Sequence, residues 1–165
     1  MPYVAIGLFA GLRPFEIQRL DWRDVDFETN HILVRAETSK KRESRYVEMN
    51  PTLCRWLRPH TKQTGPLIGQ NFRKQRDAMV KAAGYNSQRP WPQDVMRHTA
   101  ASNLLALKQN RALVAEQLGT SIEILRRHYR KPVLPIEAER FFALSPNAAS
   151  NGGGEQDCHQ LRSRA

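Results

Sequence analysis

The chain has 165 residues and a mass of 19.0 kDa, with 26 Lys and Arg against 16 Asp and Glu, a net charge of +10 and a pI near 10.2. This length suits one domain around one core, and the charge points to a polyanionic partner. Two cysteines, Cys54 and Cys158, exclude a disulfide framework and a zinc-ligand pattern. The apolar run VAIGLFAGL is too short to cross a bilayer and lacks the basic lead of a signal peptide. A cytoplasmic protein with no membrane partner is the expectation.

In chain order, residues 2 to 11 read as a core helix stopped at Gly11, and Pro14 starts a second short helix through Leu20. Arg13 falls between a glycine stop and a proline start, a corner from which a side chain projects into a groove. Residues 22 to 27, 31 to 36 and 45 to 49 alternate apolar and polar residues and predict a small antiparallel sheet. Its last turn is basic, with Lys40, Lys41 and Arg42 at the tip. Pro51 opens a helix to about His60, and residues 70 to 84 form an amphipathic helix with Phe72, Met79 and Val80 inward.

The stretch from Asp94 to Arg130 is the most informative. Pro92 opens a helix with an apolar stripe of Met96, Ala100, Leu104 and Leu107, and Arg97 lies one position off that stripe. A further helix runs from Arg111 to Leu118 and stops at Gly119. The next starts at Ser121, where Thr120 and Glu123 fit a capping box. On it, Ile122, Leu125 and Tyr129 share a face, and Arg126, Arg127 and Arg130 supply positive charge. A last helix spans Ile136 to Leu144, and residues 146 to 165 read as a disordered tail. The fold class is therefore mainly α with a small antiparallel β-sheet (α+β). Residues 111 to 130 also scan as a helix-turn-helix, so a non-catalytic DNA-binding module is the alternative.

The segment GLRPFEIQRLDWRDVD, the basic hairpin, MRHTAAS and LGTSIEILRRHYR together resemble the tyrosine recombinase (phage integrase) family over roughly residues 5 to 132. The order of these pieces carries the likeness, as do the 32 residues that separate Arg97 from Tyr129. The resemblance implies a catalytic domain over residues 1 to 145 that acts on double-stranded DNA in the nucleoid. It implies strand cleavage and rejoining through a 3′-phosphotyrosyl intermediate, with no cofactor and no metal. Residue by residue, it assigns Arg13 and Arg97 as the catalytic arginines, Lys40 as the hairpin lysine, Tyr129 as the nucleophile and Glu16 as the acidic member of the first motif.

These residue types suit the reaction. A phenol oxygen can hold a phosphate as an ester, guanidinium forks meet the charge that spreads over nonbridging oxygens, and a lysine can protonate the departing 5′ oxygen. Two positions depart from the family pattern. Asp94 and Thr120 stand where the family commonly has histidine, three residues before the second arginine and nine before the tyrosine. His98 and His128 neighbour catalytic positions and are accessory candidates with them. Family members work as tetramers on DNA and often pass a C-terminal helix to a neighbour, so Ile136 to Leu144 either does this or packs on its own domain. The chain begins twelve residues before Arg13, so the expectation is a catalytic domain without the separate N-terminal core-binding domain of the family.

Overall fold

The computed structural model describes residues 2–39, 42–128 and 133–146; Lys40, Lys41, Tyr129, Arg130 and the expected tail from residue 147 onward lie outside the described residues. Helix α1 (Pro2–Phe9) ends at Gly11, whose φ of 71° lets its N–H turn back to the Ile6 carbonyl at 3.0 Å. Helix α2 (Pro14–Ile17) follows, shorter than the expected run to Leu20.

The sheet is antiparallel in the order β1 (Val25–Asp26), β2 (His31–Val34), β3 (Arg45–Glu48), with Ile32 opposite both Val25 and Val47. The first strand is shorter than its alternation suggests. Asp21 accepts from the Arg23 N–H, and the Asp21 N–H donates to Asp24, each at 3.0 Å. This reciprocal cap winds Trp22–Asp24 into a 3-10 turn before extension can begin.

Helix α3 (Pro51–Leu57) is capped by Asn50, which accepts from the Leu53 N–H at 2.9 Å. A 3-10 turn, Arg58–His60, completes the expected length. Helix α4 (Phe72–Ala82) is a surface element: Phe72, Met79 and Val80 face inward as expected but stay half-buried.

Helix α5 (Val95–Lys108) starts three residues after Pro92, because Asp94 sits in the left-handed region at φ 54° and delays helical geometry to Val95. Its buried residues are Met96, Arg97, Ala100, Ala101, Asn103 and Leu104, more than one stripe, because α5 packs against three helices. Leu107, expected inward, lies beyond these contacts and is 45% exposed. Helix α6 (Arg111–Leu118) stops at Gly119, as the glycine requires.

Helix α7 (Ile122–His128) is capped by Ser121, not Thr120, since the Ser121 hydroxyl accepts from the Ile124 N–H at 3.3 Å. The main-chain N–H of Glu123 and the Ser121 hydroxyl hold the Glu123 carboxyl below its usual range. The cap falls one residue late because Thr120 is consumed by the α6 stop described below.

Helix α8 (Pro135–Phe142) packs on its own domain, against α5. Ala138 is buried, the Thr52 hydroxyl donates to the Phe142 carbonyl, and Trp56 Nε1 donates to the Leu144 carbonyl at 3.2 Å. Phe141 and Phe142 lie against Phe9. Burial of such rings, on the order of 1.5–3 kcal/mol each, outweighs single hydrogen bonds in this docking.

The main core lies between α1, α2, the sheet and α3, and includes Ile6, Phe9, Leu12, Ile17, Ile32, Val47 and Leu53. A second cluster of Ala101, Leu104, Val114, Leu118 and Leu125 joins α5, α6 and α7. Gly11 bridges the two: an added Cβ there would meet Leu118 Cδ2 at 2.5 Å and Ala100 Cβ at 3.1 Å. Among the described residues, no helix is long and apolar enough to cross a membrane.

Candidate active site

An α-helix ends with carbonyls that have no partner of its own, at the negative end of its dipole. At the end of α6 the chain satisfies two of them itself. The Gly119 N–H donates to Glu116 and the Thr120 N–H to Ala115, each at 2.9 Å, which is a Schellman closure. The carbonyls of Gln117, Leu118 and Gly119 remain, and each takes a different arginine.

Arg45 Nε donates to Gln117 at 3.1 Å, Arg97 Nη2 to Leu118 at 2.6 Å, and Arg13 Nη2 to Gly119 at 3.3 Å. The predicted pair Arg13 and Arg97 is thus brought together at one helix end. Arg97 is also held from the other core, with Nη1 donating to the Gly11 carbonyl at 2.7 Å, and it is 6% exposed.

Glu16 is the counter-ion. Only 1% exposed, it receives Arg45 bidentately at 3.1 and 2.8 Å, the Arg13 N–H at 3.0 Å and Arg13 Nη1 at 3.4 Å. Burial pushes its carboxyl up, yet Arg45 and then Arg13 outweigh that and hold it below its usual range. Arg45 and Arg13 share this one carboxylate, and the Arg13 side chain is 23% exposed. The arrangement suits a phosphate.

Arg45 was not among the residues singled out from the sequence. A signal existed: in a strand, residues alternate between faces, so Arg45 shares the inward face with buried Val47 and Met49, while Tyr46 is 68% exposed. A cation on an inward face requires a buried anion nearby, and Glu16 is that anion.

The accessory candidates divide. Thr120 is half-buried next to Gly119, and its hydroxyl makes no hydrogen bond among the described residues. Asp94, expected in the first turn of α5, instead precedes it in a left-handed conformation, and its side chain makes no capping bond. Its carbonyl accepts the N–H of exposed His98 at 2.9 Å. His128 closes α7 in its backbone, and its side chain lies outside the description. Of the DNA-binding candidates, Arg42 is exposed on the hairpin at φ 56°, and Arg126 and Arg127 are exposed on α7. No cluster of metal-binding side chains is present among the described residues.

Gly119 is indispensable to this geometry. Its φ is 60°, and an added Cβ would lie 2.9 Å from Arg45 Cζ, a guanidinium pinned to Glu16. Gly119→Ala is expected to lose about 1–2 kcal/mol from the left-handed backbone alone, and more as Arg45 is displaced. Urea unfolding, compared with an Ala substitution at exposed, contact-free Gly84 of like φ (80°), separates the two contributions.

The sequence profile of the phage integrase family matches residues 3–133, and the chain belongs to that family. Among solved structures it is similar to XerA recombinase, at 23% identity and a TM-score of 0.60 over 84% of this chain and 54% of that one. It is also similar to the Tn1549 transposon integrase in complex with a circular intermediate DNA, at 19% identity and a TM-score of 0.56 over 87% of this chain and 58% of that one. The chain therefore spans little more than half the length of these structures, and at such identities the likeness is one of fold. No curated protein sequence matches the chain.

Proposed function

We propose that the chain is the catalytic part of a site-specific DNA recombinase that cuts and rejoins strands through a phosphotyrosyl ester. The observation that carries this is the meeting of Arg13 and Arg97 at the end of α6, with the Arg13 side chain partly exposed. In the proposed reaction the scissile phosphate docks at Arg13 and Arg97, whose guanidinium groups stabilise the charge on its nonbridging oxygens. The Tyr129 phenol attacks phosphorus, losing its proton to solvent water, and displaces the 5′ oxygen, which takes a proton from Lys40. Rejoining reverses these steps with the 5′ hydroxyl of the partner strand. The bond energy stays in the ester, so the chemistry calls for neither metal nor nucleotide.

Glu16, held by Arg45, orients Arg13, and Thr120 donates one further hydrogen bond to the phosphate. Asp94, His98 and His128 have accessory roles in this reading. Lys41, Arg42, Arg126, Arg127 and Arg130 contact the DNA backbone, and copies assemble as a tetramer on paired sites in the nucleoid of the cytoplasm.

The helix-turn-helix alternative is disfavoured by the turn between α6 and α7. Gly119 there is engaged by Arg13 and lies against Arg45. The two readings part on a large pool of nicked suicide duplexes of randomised sequence, incubated with a metal chelator, denatured in detergent and enriched for protein-bound strands. The recombinase reading expects a denaturation-resistant complex. Binding lost in Arg126→Ala/Arg127→Ala, with no such complex from the wild-type chain, would instead identify a binding module.

A further inference from the structure

Phe15 is the second residue of α2, next but one to Arg13, and is 53% exposed. A lone exposed aromatic is ordinary, but this one is held. The Arg19 guanidinium lies 3.7 Å from the ring centroid, and Arg19 Nη1 donates to the Glu37 carbonyl at 3.3 Å, so one ring face is covered and the stack is tied to the base of the basic hairpin. Both exposed partners therefore occupy the surface between the Arg13 corner and that hairpin.

We propose that the Phe15–Arg19 stack is a DNA-contact platform on which the nucleotide next to the phosphate held at Arg13 rests. This deepens the recombinase reading and depends on it. Two peptide units separate Arg13 from Phe15 by at most about 7 Å, comparable with one or two nucleotide steps of about 3.4 Å along a strand. Aromatic rings and guanidinium planes both stack on bases without requiring one sequence, and a prefixed ring loses little freedom on binding. The surroundings complement a polyanion, since Arg13 and Arg19 flank Phe15 in the sequence, Arg19 lies over its ring, and the chain carries a charge of +10. A wholly apolar protein partner would not complement the net charge.

The test is fluorescence anisotropy of a labelled random-sequence duplex with a short single-stranded gap, whose bases are free to stack, titrated with the full chain across a salt series. Phe15→Ala is expected to weaken binding on the order of 5- to 100-fold at every salt concentration, with the salt slope unchanged because an apolar contact releases no counterion. Arg19→Ala should make the slope shallower by about 0.9, the signature of one lost phosphate contact. Phe15→Trp should bind as tightly as the parent or more tightly, which guards against a variant that merely misfolds.

Parental affinity in Phe15→Ala overturns the platform, as does a Phe15→Trp variant that binds no better than Phe15→Ala. So does a loss of self-association in sizing columns with DNA affinity intact, which would make the surface a protein contact. A parent chain that fails to bind the duplex at low salt would sink the recombinase reading itself, a distinct outcome.

Discussion

Arg45→Met is expected to destabilise the chain by about 3–5 kcal/mol, because it strands the Glu16 carboxylate in the core without its bidentate partner. Glu16 is 1% exposed and the Arg45 side chain only 10%, so water screens little of this loss. The pH dependence should invert. In the parent the Glu16 carboxyl lies below its usual value, so its contribution is full above the unfolded value of about 4.3 and disappears as pH falls through the lower folded value.

Without Arg45, burial dominates and the carboxyl moves above its usual range, so the variant regains stability relative to the parent as the pH is lowered. Glu16→Gln/Arg45→Met removes the buried charge and should recover much of the loss. Urea unfolding of the four chains of this double-mutant cycle, near neutral pH and again in mild acid, checks both claims. A cycle with no coupling between the two positions would contradict them.

The second large effect concerns rate. Arg13→Ala and Arg97→Ala are each expected to slow strand cleavage about 100- to 1000-fold, the usual consequence of removing a positioned donor to transition-state charge. The two should differ in stability. Arg13 is partly exposed and its contacts to Gly119 are long, at 3.3 and 3.4 Å, so its loss leaves the fold nearly intact.

Arg97 joins Gly11 to Leu118 through two short buried bonds, each on the order of 1.5–3 kcal/mol for a charged donor. Arg97→Ala should therefore also lower the melting temperature markedly. Single-turnover cleavage measured beside thermal denaturation separates the two roles, and equal stability losses in both variants would refute this division.

Much of this fold was legible in the residues. Glycine at positions 11 and 119 marks two helix stops because both backbones need positive φ, and prolines at 14 and 51 mark two helix starts. Alternation over residues 31 to 36 and 45 to 49 marked the antiparallel pair. The convergence of Arg13 with Arg97 was expected from their resemblance to a known order, and the geometry supplies its cause: unpaired carbonyls at the end of α6 collect guanidinium groups.

What stayed hidden depends on contacts between residues far apart in the chain. Nothing periodic in α6 announces that Arg45, from a strand, will bond Gln117, and so its part in the site was missed. Local competition hid other details. The Asp21 cap shortened β1, the Schellman closure used Thr120 and moved the α7 cap to Ser121, and the left-handed Asp94 delayed α5. In each case a short polar side chain or a turn altered an element boundary while leaving the element itself in place.

The central claim is that this arginine pair serves a covalent reaction at Tyr129. A nicked suicide duplex that loses a short fragment on cleavage, incubated with the full chain in a metal chelator, tests it most directly. The expected product is a protein–DNA adduct whose digested peptide carries the 3′-phosphate on Tyr129, with no adduct in Tyr129→Phe. An adduct of equal yield in Tyr129→Phe, or one mapped to another residue, would contradict it.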